Sequence, residues 1–142
     1  MYKAGRITTV LALFIMSAAL VAKGQPLSLL QNKGGDVFVP IGKYIEQGNA
    51  YRLSAWFPDN LEVSILGNTN DCCSKNQAKE IMQAFFDANK PYKFEIVHKT
   101  DESLMKHAIG RLYCTNNNYS VTISVLIGEN GNHIQILRID SY

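Results

Sequence analysis

The chain has 142 residues, with 14 basic and 12 acidic side chains, three histidines and three cysteines. Its formal charge of +2 includes three cations, Lys3, Arg6 and Lys23, from an acid-free first segment, so residues 25–142 carry eleven bases against twelve acids, a net −1. No row of Lys or Arg remains that could neutralise consecutive phosphates, which excludes nucleic acid as the expected partner.

In chain order, Lys3 and Arg6 precede a thirteen-residue apolar run, Val10 to Ala22, broken only by Ser17. Such a run fits the core of a signal peptide and falls short of the roughly 20 residues that span a bilayer. Ala22 and Gly24 supply the small residues before a cut, so residues 1–24 read as a cleaved leader and the protein as secreted or periplasmic, with no membrane span after cleavage. Residues 25–35, ending in Gly34-Gly35, read as a loose arm. Residues 36–142 then make one domain, long enough for a single core.

Asp36 is placed to cap a helix whose buried stripe is Val37, Ile41, Tyr44, Ile45 and Gly48, with Pro40 near its first turn. Asn49 caps a shorter helix through Leu53, Trp56 and Phe57, which Pro58 stops. Leu61, Val63 and Ile65 alternate with Glu62 and Ser64, the pattern of a half-buried strand. Ser74 and Gln77 form a capping-box pair ahead of the stripe Ala78, Ile81, Met82, Phe85 and Ala88, which ends at Pro91. The period then becomes two over 93–99, 106–115, 119–127 and 133–140, separated by polar turns that include Asn130-Gly131. Connections this short make neighbouring strands antiparallel. Helices followed by a meander define an α+β domain with its helices on one sheet face.

This order of elements resembles the nuclear-transport-factor-two-like (cystatin-like) fold, a bent, mainly antiparallel sheet with helices on its concave face. The stretches Pro40–Asn49, Leu53–Phe57, Leu61–Ile65, Ser74–Ala78 and Ile136–Ile139 are similar to a family of small exported bacterial proteins, numbered 4783 among the domains of unknown function. The resemblance covers nearly all of residues 25–142 and implies the cone fold. It implies no activity, because the fold hosts isomerases, dehydratases and non-catalytic assembly modules alike.

With hairpins symmetric about their turns, the inner sheet face carries His98, His107, Arg111, Tyr113 and Gln135 among apolar residues, opposite Trp56 on the helix side. Those six residues are the candidate pocket, suited to a small hydrophobic or anionic ligand with its charge on Arg111. The alternative reading puts the polar ones at the rim, solvated or paired with carboxylates such as Glu95. His98 and His107 face each other in this register. Two imidazoles fall short of the three or four protein ligands zinc takes, so no metal or other cofactor is implied. No carboxylate falls on the inferred inner face, which argues against acid–base catalysis. Two functions therefore stand: a non-catalytic exported binding or assembly module, and an isomerase- or dehydratase-like enzyme using His98 or His107 as base.

Cys72, Cys73 and Cys114 allow at most one intramolecular bridge, which an oxidising compartment would favour. Packed free thiols and a reactive thiol near the Ser74 cap are the other readings. The outer face, inferred to run through Ala108, Gly110, Leu112, Cys114, Ser120, Thr122, Leu126, Ile134 and Ile136, looks flat and partly apolar, and a homodimer or other partner contact is expected there.

Overall fold

The computed structural model describes residues 35–142, so the leader and the arm up to residue 34 lie outside the described residues. Helix α1 spans Phe38–Glu46 and α2 spans Ala50–Leu53, continued by a 3-10 turn over Ser54–Trp56. Strands β1 (Leu61–Ile65) and β2 (Asn68–Cys73) form a hairpin, and α3 runs Lys75–Asn89. The meander is β3 (Pro91–Asp101), β4 (Met105–Cys114), β5 (Asn118–Gly128) and β6 (Gly131–Ser141). The six strands make one sheet in the order β2-β1-β6-β5-β4-β3. Among the described residues only β1 and β6 run parallel; every other neighbour is antiparallel. The helix-then-meander expectation of an α+β cone holds.

The local signals act as their chemistry requires. Ser74 Oγ accepts from the Gln77 amide at 3.2 Å while Gln77 Oε1 accepts from the Ser74 amide at 3.0 Å, the full capping box. Asn49 Oδ1 accepts from the Arg52 amide at 3.0 Å. Asp36 acts one residue further out than expected. Val37 holds the cap position of α1, and Asp36 Oδ1 accepts from the Phe38 amide at 2.9 Å. The other Asp36 oxygen pairs with Lys99 of β3, tying the start of the helix to the sheet.

Strand β2 was not legible in the sequence, because Asn68-Thr-Asn-Asp-Cys-Cys73 is polar, mostly exposed and lacks alternation. A two-residue turn creates it. Leu66 and Gly67 take φ of 51° and 86°, the positive pair that matches the twist of a hairpin. At Asn130-Gly131 only Gly131 has positive φ, so that turn differs from the expected pair of left-handed residues.

The helix-covered face holds the core. Ala108 and Leu112 of β4, Tyr119, Val121 and Ile123 of β5, and Leu137 and Ile139 of β6 are buried against Ile41, Ile45, Trp56, Met82 and Phe85. Helix α1 comes close to the sheet because two glycines make room for one ring. A Cβ on Gly110 would stand 2.2 Å from the Phe94 ring, and one on Gly42 would stand 3.1 Å from it. Gly110→Ala should therefore cost about 1–3 kcal/mol in chemical denaturation, because Phe94 must leave its seat. Phe94→Leu in the same chain should recover part of that loss; full additivity of the two would mean the ring is not the obstacle.

The Lys99 ammonium, assisted by the Phe38 amide, holds the Asp36 carboxyl below its ordinary range. The sign follows directly: stability from this pair is complete above about pH 3.9, the unfolded value, and is lost as pH falls through the lower folded value. Lys99→Met should shrink the drop in urea stability between pH 6 and pH 3, and an unchanged drop would remove the pair from the acid response.

Candidate functional site

The six candidate pocket residues are not brought together. Trp56 is buried in the core at 5 % exposure, on the helix side. His98, His107, Arg111 and Tyr113 instead lie on the opposite, open face of the sheet, and Gln135 sits half-buried at an irregularity where β6 meets β5.

The cause is register. Tyr113 faces Asn118 and Arg111 faces Ser120, so the β4–β5 turn is centred on Thr115-Asn116, earlier than the Asn116–Asn118 turn expected. A change of odd parity turns every β4 side chain over. Ala108, Gly110, Leu112 and Cys114 therefore face the helices, and the outer position expected for all four is corrected. Ile134, expected outside, is fully buried opposite Val125, following the irregularity between β5 and β6. In β3 a bulge between Ile96 and His98 offsets the pairing, so His98 faces Ile109 and His107 faces Thr100. The expected His98–His107 facing pair does not form.

On the open face several polar side chains bond to one another. His107 Nδ1 lies 2.7 Å from Ser124 Oγ. Arg138 Nη2 donates to Glu62 Oε1 at 3.0 Å across the parallel pair β1–β6. Lys93 pairs with Glu95 at 2.8 Å, and Tyr113 donates its hydroxyl to the same carboxylate at 3.2 Å. Those two donors, Lys93 first, hold the Glu95 carboxyl below its usual range, and Glu95 in turn raises Lys93. The Arg111 guanidinium lies 3.8 Å from the ring centroid of Tyr142. Sequence reasoning passed over Tyr92 and Tyr142. For Tyr142 the signal was present, since Arg138, Asp140 and residue 142 follow one another at period two on the open face.

The chemistry these groups can do is limited by what is near them. Among the described residues, no carboxylate pairs with His107 or His98, and no cluster of three metal-ligating side chains occurs. Ser124 is 4 % exposed, which closes its hydroxyl to a substrate. Two shallow clefts lie off the open face. One, of about 280 Å³, runs between α1 and β3 beside Asp36, Val39, Glu46 and Ile96. The other, of about 310 Å³, lies between β2 and the start of α3 beside Asp71, Cys72, Cys73 and Glu80.

Residues 38–140 match the family model described as domain of unknown function DUF4783. A DUF4783 family protein from Bacteroides ovatus superposes with a TM-score of 0.69 at 26 % identity, covering 73 % of this chain and 94 % of that one. Another from Bacteroides uniformis gives 0.71 at 24 % identity, covering 75 % and 98 %. A domain of unknown function with a cystatin-like fold from Nostoc punctiforme gives 0.58 at 13 % identity, covering 72 % and 71 %, a likeness of fold alone. No curated protein matches the chain.

The cysteines settle as unbridged thiols, Cys72 exposed, Cys73 and Cys114 buried. Cys73 lies at the start of α3, whereas Cys114 lies at its end, where Thr115 N donates to Asn89 O at 3.2 Å. Fifteen helical residues separate those ends by about 22 Å, against the roughly 7 Å a disulfide spans. The expected option of a bridge to Cys114 is thereby corrected. Cys72 and Cys73 project from opposite faces of β2. Burial raises both inner thiols, Cys114 to about 11. Alkylation of the native protein at neutral pH should therefore modify Cys72 alone, with Cys73 and Cys114 reacting after denaturation. Rapid native labelling of Cys114 would mean that the β4–β5 end opens.

Proposed function

The chain belongs to the DUF4783 family, and from that premise we propose that it is an exported, non-catalytic binding or assembly module whose open sheet face pairs with a second copy. The observation that carries this reading is where the polar side chains lie. They are ordered on the face that no described helix covers, where they bond to one another instead of converging on a cavity.

An enzyme of the isomerase or dehydratase kind would need its base and its polariser inside the cone. His98, His107, Arg111 and Tyr113, the side chains suited to those roles, are on the outside. The inside is occupied by Trp56, Phe57, Met82, Phe85 and Phe86, all buried. Export rests on the leader pattern of residues 1–24, with its basic start, short apolar core and small residues before Gln25.

Pairing with a second copy is supported by composition and charge. The middle of the face is lined by the short side chains Ser120, Thr122 and Ser124, beside Ile109 at 40 % and Leu126 at 38 % exposure. Around them, Glu62, Glu95 and Asp140 are balanced by Lys93, Arg111 and Arg138. A face with equal numbers of both signs can complement itself across a two-fold axis, which a face of one sign cannot. A flat centre of short side chains also lets a partner sheet approach closely.

Native mass spectrometry of protein recovered from the exporting cell should give a dimer whose denatured mass begins at Gln25. Ile109→Glu with Thr122→Arg should give a monomer with an unchanged circular dichroism spectrum. A monomeric parent at micromolar concentration would overturn the pairing, and an uncut N-terminus would overturn the export.

A further inference from the structure

One end of the open face carries aromatic rings interleaved with charge. Tyr92 and Tyr113 lie with ring centroids 6.4 Å apart and planes at 41°. The Lys93 ammonium stands 5.3 Å from the centre of the Tyr113 ring. Arg111, two residues along β4 on the same face, has its guanidinium 3.8 Å from the ring centroid of Tyr142. Tyr142 follows Ser141, which faces Tyr119, so it is level with Asn118 and hence with Tyr113. The result is a strip across the ends of four strands. It lies at the opposite end from Leu126 and His133.

Two of its rings are largely in water: Tyr92 is 62 % exposed and Tyr142 is 68 % exposed. Exposed aromatic groups gathered in one place mark contact sites far more than scattered ones do. Two of the strip's three rings are also held in place. Tyr113 is fixed through its hydroxyl to Glu95, which Lys93 holds in turn, and Tyr142 rests on Arg111. A platform fixed before its ligand arrives loses little entropy on binding.

We propose that the strip binds a saccharide chain, with sugar rings laid on the tyrosine faces and hydroxyls bonded to Glu95, Arg111 and Asn118. The inference rests on the binding-module reading and names the ligand class of one end of that face. Sugars present flat C–H faces to aromatic rings, and a hydroxyl both donates and accepts, which suits a strip that mixes a carboxylate, a guanidinium and an amide. A single strand of nucleic acid also stacks on aromatic groups, but its affinity comes from phosphate neutralisation. Here Lys93 is already paired with Glu95, and Arg111 is the one other cation of the strip. A protein partner needs a fully buried apolar core to its contact patch, and the exposed aliphatic side chains that could form one lie in the middle of the face, at Ile109, and beyond it, at Leu126.

Affinity electrophoresis in native gels tests the inference, with dextran, mannan or xylan as neutral chains and polygalacturonate as an acidic one. The protein should be retarded in at least one of these gels. Tyr113→Ala and Tyr142→Ala should each weaken the retardation about ten-fold, with Tyr113→Phe, which keeps the ring and loses its tether to Glu95, between Tyr113→Ala and the parent. Tyr51→Ala, at an exposed tyrosine on α2, should migrate as the parent does. No retardation in any gel, retardation indifferent to Tyr113→Ala and Tyr142→Ala, or retardation by oligothymidylate instead, would each overturn the proposal. Native mass spectrometry on the same samples separates the two readings: a dimer that is not retarded sinks the saccharide alone, and a retarded monomer sinks the pairing alone.

Discussion

The structure turns on Asn89, the last residue of α3, which sets how the β4–β5 hairpin meets the helix. The residue is 8 % exposed, and both polar atoms of its side chain are bonded. Nδ2 donates to Phe85 O at 2.8 Å, while Oδ1 accepts from the Tyr119 hydroxyl at 2.6 Å and from Asn116 Nδ2 at 3.0 Å. Its backbone oxygen accepts from both the amide and the hydroxyl of Thr115, each at 3.2 Å. A buried amide bonded at both its oxygen and its nitrogen is specific about its neighbours, since leaving either atom unpaired costs about 1–3 kcal/mol. Here the neighbours are the turn itself and the first buried residue of β5. Held this way, Thr115 and Asn116 occupy the turn, Tyr113 faces Asn118, and the parity of β4 is decided.

That parity divides the molecule into a packed side and a chemical side. With Ala108, Gly110 and Leu112 facing the helices, β4 presents small and branched groups to the core, and the Phe94 ring can lie between Gly42 and Gly110. Had β4 presented Arg111 and Tyr113 inward, a guanidinium would have entered an apolar layer with no carboxylate to meet it. The same constraint that closes the cone therefore delivers Arg111, Tyr113 and His107 to the open face, where Glu95, Tyr142 and Ser124 receive them.

Legibility followed the range of the interaction. The Ser74–Gln77 box, the Asn49 cap and the alternation of β1 are written within a few neighbouring residues, and each is where the sequence placed it. The faces of β5 and much of β6 were also legible, because Val121, Ile123, Leu137 and Ile139 are apolar at period two. Strand β4 was ambiguous on that criterion: Ile109 and Tyr113 on one face weigh about as much as Ala108 and Leu112 on the other. Asn89, some 27 residues before Asn116 in sequence, helps to break the tie, and no local pattern reports it. The bulge between Ile96 and His98 was equally hidden, as was β2, whose polar residues are those of an exposed edge. The candidate site was misplaced because its residues belong to the strands these features control.

The two edges of the sheet bear on how such a module could associate. Strand β3 is eleven residues long and exposed over most of its length, the kind of edge that invites pairing with another chain. It is defended at several points. Pro91 opens it, the bulge after Ile96 breaks its regularity, and Lys93 and Lys99 flank it. The Phe94 amide is taken by Glu46 Oε2 of α1 at 3.0 Å, so one of its ladder donors is already occupied from within the chain. At the far edge β2 offers Asn68, Asn70 and Asp71, whose hydrated side chains oppose a dry strand contact. With both edges guarded and the other face filled by helices, the open face is the surface left for the pairing proposed above. There its ordered side chains can select a partner by charge and shape.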